Sequence, residues 1–512
     1  MSESAQAIVE TGAGRIEGYE RGGLYVFKGI PYAAAPVGQL RWLTPRPVKP
    51  WSGVCQAQKY ASIAPQNIMG IDIIAPIEPE PQSEDCLHLN VWTPGVDNER
   101  RPVLFWIHGG GFTAGSGSSP VYSGRTLSRR GNVVVVTINY RLGLLGFLNL
   151  SEVTGSRIPA TGNEGLLDQV AALQWVRDNI AAFGGDPRNV TIFGESAGGM
   201  SVGCLLAVPG ARGLFHKAIP QSGAASFAQP LDMAARVSEQ FLDVVGLSAS
   251  DVDALRSLTV ERLLAAQQEL AARMTKVEMG MPLQPVIDGK TLPSLPIDAI
   301  RGGSAREIPV MVGSTLDEWK LLAMADPNLP RLDEAHLVSR LRRMISAEYA
   351  ESLIETYRKA LQKRGVPATP PELFTAIQTD RAFRIPAIRL AEAQRQNNQS
   401  AYNYLFTWRS PAFDGALGAC HALELGFVFG TYEQNFCGKG PAADTLARKI
   451  QDGWVAFARN GDPSCESLGT WPTYRERRET MILGETCHLE EAPYDEERRG
   501  WELIPGAAAG SF

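Results

Sequence analysis

Gly194-Glu195-Ser196-Ala197-Gly198-Gly199 stands between a short β-branched run, Val190-Thr191-Ile192-Phe193, and an apolar stretch from Met200 to Ala207. The first reads as a buried strand, and the second is compatible with a buried helix. Strand, Gly-x-Ser-x-Gly, helix is the pattern of a nucleophile elbow. Its glycines permit a turn so sharp that a serine in strained backbone geometry projects its hydroxyl clear of the sheet. Glycine, serine and alanine are common, so the flanking strand and helix carry much of the signal. A serine used this way needs a base, an acid and an oxyanion hole elsewhere in the chain.

Outward from the elbow, Pro102 to His108 and Asn132 to Tyr140 are near-continuous apolar runs, which fits a parallel sheet covered on both faces. Leu166, Val170, Leu173, Val176, Ile180 and Phe183 recur at helical spacing, and Gly184-Gly185 with Asp186-Pro187 beyond is a helix stop. Lys217 to Gly223, Ile308 to Gly313 and Ala401 to Phe406 read as further strands, and Pro441 to Asn460 as a C-terminal helix. This alternation predicts an α/β chain. Residues 7–35 alternate apolar and turn residues and predict an antiparallel hairpin or meander. Gly12-Ala13-Gly14 is followed by no helix and does not make a dinucleotide fingerprint. Residues 36–84 are rich in Pro and Trp, a long loop of the kind that covers a site. Segments 230–280 and 325–400 are mainly helical.

Composition sets the bounds. The 512 residues would ordinarily suggest more than one domain, but no linker cuts the chain and large α/β enzymes exceed that prior. With 44% hydrophobic and 20% charged residues the chain can bury a large core. A net charge of −6 argues against a nucleic-acid partner. No apolar run is long enough to span a membrane, and the N-terminus lacks the features of a secretory signal. Seven scattered cysteines without CxxC fit reduced thiols in a cytosolic protein better than a disulfide framework. No histidines lie at metal-ligand spacing, so neither a metal nor a cofactor is expected.

Six histidines are available as the base. The order serine, acid, histidine leaves His216, His336, His421 and His488. His216 is too close to the elbow, His336 sits on a charged helix and His488 in a polar strand or turn. His421 follows Gly415-Ala416-Leu417-Gly418-Ala419-Cys420, a loop of small residues after a late strand. The acid belongs on a loop after an intermediate strand, where Asp317-Glu318 offers two carboxylates. The structural alternative there is that Asp317 or Thr315 caps a helix from Trp319 to Ala325. Residue chemistry alone does not choose between Asp317 and Glu318. His108-Gly109-Gly110-Gly111 after a buried strand matches an oxyanion loop, and no Gly-Lys-Ser/Thr follows to make it a phosphate loop.

These residues resemble the type-B carboxylesterase family, which includes bacterial p-nitrobenzyl esterases and the cholinesterases. The resemblance runs from about Val26 to about Asp462. It is carried by Phe27 to Ala33, Ser83-Glu84-Asp85-Cys86-Leu87-His88-Leu89-Asn90-Val91, Trp106 to Phe112, Asn139-Tyr140-Arg141-Leu142-Gly143, Gly162 to Gln169, Phe183 to Pro187, Phe193 to Gly199 and Gln221-Ser222-Gly223. It implies a single α/β-hydrolase domain over 1–512, with a large mostly parallel sheet, helices on both faces and N-terminal antiparallel strands. A rim loop at 62–86 and helical insertions at 230–300 and 325–400 would cover the pocket. It also implies a catalytic Ser196, His421 and Glu318, the last by the family's choice of the glutamate, and oxyanion donors at Gly110, Gly111 and Ala197. Ser222 would support the buried glutamate, with Glu195 beside the serine also supporting. Arg41–Glu84 and Arg141–Asp168 would be scaffold ion pairs.

The expected activity is hydrolysis of small carboxylic esters through an acyl-enzyme, with broad specificity, no cofactor and a monomer favoured. An amidase or lipase on the same triad is the nearest alternative, and a non-catalytic binding module of this fold a more distant one. Three departures stand out. Residues 64–67 supply no disulfide partner for Cys86, and the choline-site tryptophan has no match, so cholinesterase activity is not expected. Pro220 before Gln221 also departs from the family pattern.

Overall fold

The structure, a computed structural model, describes residues 5–67, 80–276, 281–397 and 400–504. Part of the expected 62–86 rim loop lies outside these residues. Its described base is closed by a parallel bridge between Ile63 and Gln82.

Fifteen strands are described: β1 (Ala5–Thr11), β2 (Gly14–Glu20), β3 (Tyr25–Pro31), β4 (Val54–Gln56), β5 (His88–Thr93), β6 (Arg101–Ile107), β7 (Val134–Ile138), β8 (Gly185–Glu195), β9 (Lys217–Gln221), β10 (Gln229–Pro230), β11 (Val286–Ile287), β12 (Val310–Thr315), β13 (Ala401–Phe406), β14 (Glu479–Leu483) and β15 (His488–Glu491). Thirteen form one sheet in the order β1-β2-β3-β5-β7-β6-β8-β9-β12-β13-β14-β15, with β4 beside β2; β10 and β11 make a separate two-residue ladder. From β7 to β14 every pair is parallel. The ends are antiparallel, a meander of β1, β2, β3 and β5 on one side and β15 on the other.

The period of two explains why the central strands read as unbroken apolar runs. Val103, Phe105 and Ile107 of β6 face one core, with Val134, Val136 and Ile138 of β7 and Val190 and Ile192 of β8. Leu104, Trp106, Val135 and Phe193 face the other. With helices on both faces, an apolar residue is required at every position. The helix Glu164–Asn179 buries Leu166, Val170, Leu173 and Val176 on the first face. Pro441–Asn460 buries Leu446, Ile450, Trp454 and Phe457 on the second.

Element edges differ from the sequence expectation for local reasons. The β12 strand begins at Val310 rather than Ile308, after Pro309, which has no N–H to give the ladder. The Glu164–Asn179 helix tightens into a 3₁₀ turn over Ile180–Phe183 and stops at Gly184 with φ +74, the left-handed cap that glycine supplies. Beyond it, β8 starts at Gly185, upstream of the expected Val190; its pairing with β6 shifts register between Arg101 and Val103. The helix after the carboxylate pair spans Trp319–Ala323, ending short of Ala325, and neither Asp317 nor Thr315 caps it.

The described residues of segments 230–300 and 325–400 are largely helical. Arg41 joins the N-terminal loop to the first of them, pairing Glu84 at 2.5 Å and donating to the carbonyls of Arg256 and Leu258. Arg141 and Asp168, both buried, pair at 2.7 Å. All seven cysteines are free, Cys86 among them. No helix of the described residues is long and apolar enough to cross a membrane.

Candidate active site

Each candidate residue sits at the carboxyl end of a parallel strand, where open α/β sheets place their crevice. The elbow ends β8 near the middle of the sheet. Ser196 has φ 55 and ψ −127, strained for a residue with a Cβ, and the helix Ala197–Leu205 begins one residue later. The turn is tight against its neighbour: a Cβ on Gly198 would lie 2.0 Å from the carbonyl oxygen of Ile107, the last residue of β6. The elbow and the glycine loop that follows β6 are therefore in backbone contact.

The loop after β6 carries His108 to Gly111. His108 stacks on Tyr140 with ring centroids 4.4 Å apart, and Tyr140 OH donates to the His108 carbonyl at 2.8 Å. Burial depresses the His108 pKa to about 4, against a lesser opposing effect of the Gly109 carbonyl, so the ring is a neutral packing group. Gly110 has φ +112, and a Cβ there would meet the Ala114 carbonyl oxygen at 2.2 Å. Among the described residues the N–H groups of Gly110, Gly111 and Ala197 donate to no backbone acceptor. Three unspent donors at the adjacent ends of β6 and β8 can serve developing negative charge.

The loop after β12 brings Glu318, and the loop after β13 brings His421. His421 Nδ1 meets Glu318 Oε2 at 2.5 Å, both side chains buried. Thr315 N–H donates to Glu318 Oε1 at 2.7 Å, so both carboxylate oxygens are engaged. The opposite ring nitrogen, Nε2, lies 3.1 Å from Glu195 Oε1, on the residue adjoining Ser196. Phe383 packs on the imidazole with centroids 4.9 Å apart. It belongs to a π-helical turn, Asp380–Arg384, held by an ion pair between Asp380 and Arg384 at 2.5 Å.

Ser222 is buried at the end of β9, its N–H bonded to the Gly313 carbonyl at 2.9 Å and its hydroxyl without a partner among the described residues. The other histidines weighed for the base are elsewhere. His216 accepts from Val190 N–H in the middle of β8, His336 is exposed beside Asp333, and His488 is exposed in β15.

Sequence spacing places Glu424 three residues after His421 without giving it a task. In the fold Glu424 is buried and accepts from Gln221 Nε2 at 3.1 Å, while Gln221 Oε1 accepts from Trp454 Nε1 at 3.1 Å. Three carboxylates thus surround one imidazole. Burial works to depress the His421 pKa, but Glu195, Glu318 and Glu424 outweigh it and raise it to about 9. Burial, reinforced by Glu318 against the opposing His421, raises Glu195 to about 7. Burial with Glu195 and Glu318 raises Glu424 to about 8. The apolar partners Phe383 and Trp454 give no signal of this role in the sequence beyond their hydrophobicity.

The sheet and the elbow at its centre define an α/β-hydrolase. The family profile described as "Carboxylesterase family" matches residues 5–501. The para-nitrobenzyl esterase of Bacillus subtilis is 40% identical over 505 residues, covering 97% of this chain and 98% of its own length. The phenmedipham hydrolase of Pseudarthrobacter oxydans is 37% identical over 480 residues, covering 91% and 93%. The crystal structure of the Geobacillus stearothermophilus carboxylesterase EST55 superposes with a TM-score of 0.86 at 40% identity, covering 97% of this chain and all of that one. The chain belongs to the carboxylesterase family and is a carboxylic ester hydrolase.

Proposed function

We propose that hydrolysis proceeds by two-step acyl transfer on Ser196, with His421 as general base and acid and Glu318 as the orienting carboxylate. The observation that carries this reading is the 2.5 Å bond from His421 Nδ1 to Glu318, which leaves Nε2 facing the elbow. The proton on Nδ1 fixes the tautomer in which Nε2 has a lone pair for the serine hydroxyl. His421 takes the Ser196 proton as the oxygen attacks the ester carbonyl. The oxyanion is received by Gly110, Gly111 and Ala197 N–H. His421 then protonates the leaving alcohol, and water repeats the cycle on the acyl-enzyme. A proton on Glu424, whose pKa burial raises to about 8, lowers the negative charge around the ring and favours the neutral base. Ser222 supports the buried end of the site from β9.

Small esters of varied acyl and alcohol parts are the expected substrates, with the helical insertions 230–300 and 325–400 covering the pocket. A p-nitrobenzyl ester, the class named for the Bacillus relative, is a suitable first probe. Ser196→Ala and His421→Ala should abolish turnover, and Glu318→Gln should lower kcat by roughly 10⁴-fold through loss of the correct tautomer. A phosphonate serine probe should label the wild type and spare Ser196→Ala. Near-normal turnover by either Ser196→Ala or His421→Ala rejects the assignment.

A further inference from the structure

Asp317-Glu318 offers two adjacent carboxylates, and only Glu318 meets the imidazole. The other has a separate geometry. Asp317 N–H donates to the carbonyl of Ala419 at 2.9 Å, and Ala419 N–H donates back to Asp317 Oδ2 at 2.9 Å. This reciprocal pair joins the backbone of the acid loop to that of the histidine loop. It lies one residue before Glu318 and two before His421. The second oxygen, Oδ1, is held by Lys320 Nζ at 3.2 Å.

Neighbouring contacts fix both sides of this junction. Leu316 N–H donates to the Phe406 carbonyl at 2.9 Å, continuing the β12–β13 ladder toward it, and Ser410 N–H donates to the Gly418 carbonyl at 2.8 Å. Gly418 has φ +58, and a Cβ there would stand 2.3 Å from Asp317 Oδ2. The glycine three residues before His421 therefore leaves room for this carboxylate. Asp317 caps no helix and has no contact with the imidazole, so its two loop-to-loop bonds are what remain to explain its place.

We infer that Asp317 is a positioning residue: by clamping Ala419 it sets the approach of Glu318 to His421. The inference rests on the proposed triad and assigns a task to a carboxylate that the triad does not use. The groups facing His421 are Glu195 from β8, Glu318 after β12, Glu424 on its own loop, and the Phe383 ring. Of these only the Glu318 bond depends on the register of the two clamped loops.

Asp317→Ala should lower kcat roughly 10- to 100-fold, the scale of a misplaced catalytic group, with KM unchanged because Asp317 is not in the substrate's path. A weaker Glu318 bond binds the imidazole proton less tightly, so the acid limb of the kcat/KM profile should move to lower pH. Asp317→Asn keeps an oxygen for Ala419 N–H and should restore most of kcat and the limb. Gly418→Ala should cost less in the Asp317→Ala background than alone, since the carboxylate it strikes is gone, while its backbone strain is the same in both. Wild-type kcat and limb in Asp317→Ala overturn the inference. So does a kcat loss that follows only a fall in Tm with the limb unmoved, or additive Gly418 and Asp317 effects. Ser196→Ala is measured in parallel. If it retains turnover, the triad reading fails; if it is dead while Asp317→Ala is normal, only the role of Asp317 fails.

Discussion

Glu195 Oε1 stands 3.1 Å from His421 Nε2 and makes no aligned hydrogen bond with it. The carboxylate therefore acts on the imidazole through charge while leaving the Nε2 bonding direction unspent. Such an arrangement favours the imidazolium that forms when a proton is taken from the serine, at the cost of a base that is harder to deprotonate beforehand.

Glu195→Gln should move the acid limb of kcat/KM to lower pH. His421 is raised from 6.5 to about 9 against the opposing effect of burial, with Glu195 the strongest of the charges that raise it. Removing that charge lowers the pKa, so the neutral base forms at lower pH. A pH–rate profile reads this directly, and a limb that stays or rises contradicts it.

Glu424 links the same cluster to stability. Its pKa is raised from 4.5 to about 8, chiefly by burial. The native state then holds the proton more tightly than the unfolded chain, and its contribution to stability is full below pH 4.5 and lost as pH rises through about 8. Glu424→Gln carries no titrating proton, so its urea midpoint should fall less between pH 5 and 8 than that of the wild type. An equal or larger fall would count against the buried, protonated carboxylate.

Gly110→Ala should damage both chemistry and folding. Its Cβ would lie 2.2 Å from the Ala114 carbonyl oxygen, and φ +112 is unfavourable for alanine. Displacing one oxyanion donor should lower kcat by roughly 10²–10³-fold with KM little changed. Steady-state kinetics on the folded fraction, separated by size exclusion, test this; an unchanged kcat removes Gly110 from the hole.

The Arg141–Asp168 pair is a scaffold element with both side chains buried. Asp168→Ala leaves a buried guanidinium without its carboxylate and should cost about 3–5 kcal/mol of stability. Urea unfolding measures the loss, and phosphonate labelling of the remaining native protein should proceed at the wild-type rate.

Much of this architecture is legible in the residues. The elbow, the glycine loop after β6 and the Pro441–Asn460 helix carry patterns that depend on neighbours in the chain. The N-terminal meander is equally local, set by alternation and turns. Asp317 and Glu318 are different. Adjacent carboxylates on one loop have the same chemistry, and their division of labour depends on where Ala419 and the imidazole lie, about a hundred residues away. Glu424 is hidden for the same reason, since its partners Gln221 and Trp454 come from distant elements. The π-helical turn that seats Phe383 leaves no periodic mark distinct from an ordinary helix.

The contact between Gly198 and the Ile107 carbonyl has a consequence for how such a protein can acquire new substrates. Nucleophile turn and oxyanion loop leave no space between them for even a methyl group, so neither can be reshaped independently. If the helices within 230–300 and 325–400 cover the pocket as proposed, variation in substrate scope is expected on the parts of them away from Phe383, which do not share this backbone contact. Libraries confined to those segments should yield altered ester preference among still-active clones, whereas mutations at the turn should give mostly inactive protein.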